Sequence, residues 1–177
     1  MNAIFGRMIR ALTFDERLYL EIAGDPTAIT QAGMIVLLSA VARVLGLAVG
    51  GLELILLHMV QLVIWWAVLS LTIWAVGHKL FPPQPTDYGA SSPGPDPLKV
   101  ARVLGFAMTP RIFRSLAFIP TVGLFISYAA TFWQIFLMLI AVRILFGYNE
   151  ELRPIYVVAV GLLPLMIGLE LLELIEV

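Results

Sequence analysis

The sequence predicts an all-α polytopic membrane protein, a five-transmembrane-helix bundle with N-terminal amphipathic interfacial helices. Two observations carry that fold class. Hydrophobic residues make up 60% of the 177-residue chain and charged residues only 13%, with a mean hydropathy of +0.96. That is more apolar surface than a soluble domain of this size tolerates. Apolar runs then recur at the length a bilayer core of about 30 Å requires, roughly 20 helical residues each. The net charge of -1 argues against nucleic acid as a partner, which calls for a strongly basic face. Cysteine is absent, which excludes disulfides, thiolate metal sites and thiol catalysis. The opening stretch "MNAIFGRMIRALTFDE" has neither the apolar core nor the cleavage site of a signal peptide, and is expected to belong to the mature protein.

Residues 1–24 should form the interfacial helices. Ile4, Phe5, Met8, Ile9 and Leu12 share one helical face, with Arg7 and Arg10 beside it, the pattern of a helix lying among lipid headgroups. Phe5, Arg7, Met8, Arg10 and Leu12 are the expected interfacial anchors. Thr13-Phe14-Asp15-Glu16 reads as a capping box opening a second short helix, with Phe14, Leu18 and Ile22 on one side and a stop at Gly24. Such helices seat a bundle, or else sense or bend the membrane.

Residues 25–177 should form the transmembrane domain. Asp25 and Pro26 supply a cap and a first-turn proline for a span over 27–49. A second span covers 52–77. The loop 78–97 holds "FPPQPTDYGASSPGPDP", a proline-rich connector expected to be extended and exposed. Residues 98–147 would extend about 75 Å as one helix, too long for a single span. Pro120 in "IPTVG" is the expected break, dividing the region into spans over 98–118 and 121–146. The fifth span runs over 153–174. A four-span arrangement, with 98–118 lying on or dipping into the membrane, is the alternative. Gly46 and Gly50, and Ser127 and Thr131, have spacings that let helices approach closely.

Charge distribution orients the bundle. With the N-terminus in the cytoplasm and five spans, Arg7, Arg10, Arg17, Lys79, Lys99, Arg102, Arg143 and Arg153 gather on the cytoplasmic side, as the positive-inside tendency requires. The C-terminus then lies outside. Arg111 and Arg114 enter membrane depth beside Pro110, a second helix break that frees the carbonyl near Phe106. Arg43, Glu53, His58, Glu170 and Glu173 fall at similar depth in the other spans. An unpaired arginine there costs about 2.5 to 3.5 kcal/mol on insertion scales, so Arg111 and Arg114 are expected to pair with Glu170, Glu53 or both. The same cluster could instead form a polar cavity where arginines hold a lipid phosphate or an anionic solute.

Catalytic and metal motifs are absent from the sequence: there is no H-E-x-x-H, no G-x-S-x-G and no histidine pair at metal spacing. No catalytic residue, metal ligand or cofactor is assigned. Glu150-Glu151-Leu152-Arg153 reads as a charged loop before Pro154 starts the last span. Trp65, Trp66, Trp74 and Trp133 read as bundle or interface aromatics.

Four stretches, "RALTFDERLYLEIAGDPTAITQAGMIVLLSAVA", "WWAVLSLTIWAVGHKL", "VARVLGFAMTPRIF" and "FWQIFLMLIAVRILFGYNEELRPIYVVAVGLLPL", resemble the Yip1 family, in particular its compact prokaryotic members. The most specific piece is Arg102 through Ala107 followed by Pro110. The chain departs from the family pattern at Asn149 through Arg153, where such proteins often have a threonine-containing turn. The resemblance implies five spans, a cytoplasmic N-terminus and no established biochemical activity. Eukaryotic members of that family look like trafficking factors that contact small GTPases, through a long N-terminal region this chain lacks. The expectation is therefore a non-enzymatic scaffold of the bacterial inner membrane, whose partners are membrane lipids and a protein partner or a second copy of itself. A small transporter or channel using the polar cluster is the alternative.

Overall fold

The computed structural model describes residues 2–47, 51–83 and 94–175, with side chains described between 4 and 166. Among the described residues every regular element is helical. In chain order these are α1 (Asn2–Leu12), α2 (Glu16–Gly24), α3 (Ala28–Leu47), α4 (Leu52–Lys79), α5 (Pro97–Ala107), a 3₁₀ helix (Thr109–Leu116), α6 (Gly123–Phe146) and α7 (Leu152–Ile175). Helices α3, α4 and α6 are each long and apolar enough to cross a membrane. Their outer faces carry exposed large apolar side chains, including Met34, Leu38 and Leu45 on α3 and Phe125, Tyr128, Phe132 and Phe136 on α6. Water would penalise such stripes, and lipid accepts them. The chain is thus a mostly helical, membrane-embedded protein.

The third expected span is not one continuous helix. α5 stops at Ala107 and the chain continues as the eight-residue 3₁₀ helix with Pro110 in its first turn. Pro110 lacks an N–H and cannot continue the α ladder, and two hydroxyls meet the carbonyls at the break. Thr109 donates to the Phe106 carbonyl at 2.7 Å, and Ser39 of α3 donates to Ile35 at 2.8 Å and more weakly to Met108 at 3.4 Å. Pro120 lies in the turn before α6, where Gly123 N–H bonds back to the Ile119 carbonyl at 2.8 Å. α6 ends where Gly147 adopts a left-handed φ of 71°, a conformation that suits glycine at a helix C-terminus. Residues 84–93 of the proline-rich connector, and Gly50 of the expected GxxxG pair, lie outside the described residues.

Helix contacts rely on small residues. Gly105 of α5 faces Ala32 of α3, and Gly46 of α3 abuts the backbone carbonyl of Arg114 so closely that a β-carbon would collide with it. Polar bonds add direction: Trp66 Nε1 of α4 donates to the Ala101 carbonyl at 2.9 Å, and Thr72 of α4 donates to Gly161 of α7 at 2.8 Å. α4 packs along α3, α5 and α7, whereas the 3₁₀ helix packs mainly on α3 and α6. A cleft consequently opens between α4 and the 3₁₀ helix.

The N-terminal helices differ from their expected form. Asp15, not Thr13, caps α2, accepting from the Arg17 N–H at 3.0 Å. Thr13 turns back to bond the carbonyls of Ile9 and Arg10. Arg7 and Arg10 are engaged within the hairpin: Arg7 pairs with Glu21 and Asp25, and Arg10 with Asp15 and Glu21, at 2.6 to 2.9 Å. Ile4 and Met8 pack against the core and Leu12 is only partly exposed. Phe5, 65% exposed, with Ile9, forms the apolar surface that α1 leaves uncovered. Leu18, Tyr19 and Ile22 of α2 are buried in the core.

Candidate functional site

The 3₁₀ geometry determines how the two arginines are presented. With three residues per turn, side chains three apart eclipse each other, so Arg111 and Arg114 project from the same side of the segment. Arg114 Nη2 donates to the hydroxyl of Thr131 on α6, and that hydroxyl donates to the Ser127 carbonyl at 2.8 Å. Arg111 Nη1 reaches Gln134 Oε1 at a longer 3.4 Å, while Gln134 Nε2 faces Met138 Sδ at 3.7 Å. Thr131 therefore holds an arginine, with the Ser127 carbonyl as its own acceptor. On the 3₁₀ helix's other side Phe113 stacks on Trp133 of α6 with centroids 5.9 Å apart, and Phe14 stacks on the same indole at 6.4 Å. These rings brace the segment against α6.

A cavity of about 310 Å³ lies in the cleft. Arg43 and Ala40 of α3 line it, with Arg111 and Arg114 of the 3₁₀ helix and His58, Gln61, Leu62 and Trp65 of α4. The α4 residues recur at three- and four-residue spacing and so form one helical face. His58 Nδ1 lies 3.0 Å from the Leu54 carbonyl. A carbonyl only accepts, so this nitrogen carries the hydrogen.

Of the expected acids, the structure describes the side chain of Glu53 alone. Glu53, in the first turn of α4, is exposed and makes no ion pair among the described residues. A carboxylate at a helix N-terminus is already favoured by the helix dipole. The side chains of Glu170 and Glu173 lie outside the described residues. Among the described residues, ion pairs join only the N-terminal helices and Arg153 with Glu150. Arg43, Arg111 and Arg114 therefore meet with no carboxylate partner among them. The Nε atoms of Arg111 and Arg114 are buried without a hydrogen-bond partner among the described residues. Buried donors of this kind are costly unless satisfied. Guanidinium groups stay charged at any ordinary pH and match the geometry of phosphate and carboxylate. The arrangement is thus suited to holding an anion.

Among the described residues no group of three His, Asp or Glu side chains could hold a metal ion. A further cation matters elsewhere: Arg102 of α5 is only 7% exposed. It donates through Nε to Leu98 at 3.1 Å and through Nη1 to the Ala23 carbonyl, near the end of α2, at 2.9 Å. The sequence places it among the cytoplasmic charges and in the stretch that carries the family resemblance, and neither signals a helix-capping role. Its place inside the apolar run Val100–Ala107 is the available signal. No protein family, curated protein or solved structure matches the chain.

Proposed function

We propose that this chain is a non-enzymatic, five-span membrane-organising scaffold of the Yip1-like type that holds an anionic group in its arginine cavity. The observation that carries the reading is the meeting of Arg43, Arg111 and Arg114 in one cavity with no carboxylate partner among the described residues. Five spans are supported by length. α5 and the 3₁₀ helix together rise roughly 32 Å, and α7 roughly 36 Å, each sufficient for a bilayer core. The distribution of arginine and lysine supports a cytoplasmic N-terminus and an external C-terminus, and the Yip1-like resemblance is the basis for placing the chain in a bacterial inner membrane. In that orientation the cavity lies in the outer half of the bundle. A scaffold would use the bound anion, or a protein partner, to fix where it sits.

The absence of native cysteine makes a direct test available. Gln61→Cys places one thiol on the cavity wall, and oriented membranes are treated with an anionic and a cationic methanethiosulfonate of similar size. The anionic reagent is expected to react at least about tenfold faster, as a focused positive field requires. That excess should shrink in an added Arg43→Gln change, which removes a charge with no ion-pair partner among the described residues. Equal rates for both reagents would refute the anion reading. Labelling of the introduced thiol from both faces of the membrane would replace the scaffold with a solute pathway. Ser92→Cys should label only from the cytoplasmic side, and labelling from outside would overturn the orientation.

A further inference from the structure

The cleft has a second property besides its charge. Each lining residue His58, Gln61 and Trp65 of α4 is preceded by an exposed apolar side chain, Leu57, Val60 and Ile64 respectively. The polar cavity is therefore bordered along α4 by side chains suited to hydrocarbon, and it sits in the cleft between α4 and the 3₁₀ helix. A free inorganic anion would make no use of such borders. A molecule with an anionic head and an apolar tail matches both parts at once.

Resting on the reading of the cavity as an anion site, we infer that its occupant is the phosphate headgroup of a membrane lipid, entering sideways between α4 and the 3₁₀ helix. Arg111 and Arg114 supply the buried end of the site. Their Nη groups are partly held by Gln134 and Thr131, and their Nε atoms have no partner among the described residues. A phosphate oxygen can accept from such donors, and several guanidinium groups can share one phosphate. Arg43, exposed at the mouth, meets the headgroup first. The acyl chain lies along Leu57, Val60 and Ile64. The cavity volume of about 310 Å³ is near the lower end of small-molecule sites, roughly 300 to 1,000 Å³, and fits a headgroup with its tail left outside.

Trp65 lines this cavity and provides the readout. The full chain is reconstituted into phosphatidylcholine vesicles containing either acyl-brominated phosphatidic acid or acyl-brominated phosphatidylcholine at equal mole fraction, and tryptophan quenching is measured. Brominated phosphatidic acid should quench more strongly and saturate at a several-fold lower mole fraction. The excess should vanish in Trp65→Phe and weaken in Arg43→Gln, a mild change at an exposed position that serves even where Arg111→Gln fails to fold. Equal quenching by the two lipids would overturn the lipid inference. If inorganic phosphate nevertheless protects the thiol of the Gln61→Cys variant from the anionic reagent, the cavity takes a free anion and only the lipid assignment is lost. If that thiol also reacts equally with both reagents, the anion reading falls with it.

Discussion

Arg114 reaches from the 3₁₀ helix to donate to Thr131 on α6, and the Thr131 hydroxyl donates in turn to the Ser127 carbonyl at 2.8 Å. The hydroxyl is thus acceptor and donor at once, and it fixes one face of the guanidinium while the rest faces the cavity. Thr131→Val keeps the shape and removes both bonds. Leaving a partly buried charged donor unsatisfied costs about 1 to 3 kcal/mol, so the melting temperature in detergent should fall by several degrees. Thr131→Ser restores the hydroxyl and should recover most of that loss. A valine variant as stable as the parent would show that Arg114 has another partner.

Gly46 of α3 sits against the backbone carbonyl of Arg114, and a β-carbon there would collide with main chain rather than with a movable side chain. Gly46→Ala must therefore push the 3₁₀ helix away from α3. Overpacking of this kind costs about 1 to 3 kcal/mol. The same change should alter thiol reactivity in the Gln61→Cys background, because the cavity floor is carried by the displaced segment. Gly33, whose β-carbon would meet nothing, is the control. Gly33→Ala should leave melting and labelling unchanged, and equal effects at the two positions would refute the close-contact explanation.

How much of this is legible in the sequence depends on the residue. Helices α3, α4 and α6 follow from long apolar runs bounded by Asp25-Pro26, Gly51, Lys79 and Gly147, because lipid leaves the backbone little choice but to form helix. Pro110 marks a break, yet nothing local predicts that the next residues adopt an eight-residue 3₁₀ helix, since runs of that length are uncommon. Arg43, His58, Arg111 and Arg114 group by estimated depth, and the structure brings them to one cavity. Glu53 groups with them by the same reasoning but faces outward, because depth fixes a residue's level and not its side of the helix. Arg7 and Arg10 look free beside an apolar stripe. Their partners Asp15, Glu21 and Asp25 lie on the following helix and turn, a tertiary contact no helical period reveals.

Arg102 joins α5 to the end of α2, with Nη1 at 2.9 Å from the Ala23 carbonyl. A cation near a helix C-terminus satisfies carbonyls the helix itself leaves open and complements the dipole, worth up to about 2 kcal/mol when partly buried. Arg102→Met retains much of the stem but removes both bonds. The expected result is faster amide exchange in α2 with little change in α6, read by hydrogen–deuterium exchange. Arg102→Lys should fall between, since a single ammonium cannot reproduce the forked contacts to Ala23 and Leu98. Unaltered exchange in α2 would mean that its burial of Leu18, Tyr19 and Ile22 suffices without the cap.

The ion pairs of α1 and α2 should make this hairpin sensitive to acid. The hydrogen bond from Arg10, then that from Arg7, holds the Glu21 carboxyl below its ordinary range. Arg10 does the same for Asp15, and Thr27 followed by Arg7 does so for Asp25. A carboxyl whose affinity for protons is lowered by docking contributes stability that is fully present above its ordinary pKa of about 4 and is lost as pH falls below it. Hydrogen exchange in α1 and α2, corrected for its intrinsic pH dependence, should therefore be flat from neutral pH down to about pH 4.5 and accelerate below. Arg10→Gln removes the leading cause for both Glu21 and Asp15. It should raise exchange at neutral pH by about twofold to fivefold, the scale of a partly screened surface pair, and flatten the acid rise. An unchanged acid profile in that variant would assign the sensitivity to other groups and leave the Arg10 pairs without a measurable role in docking.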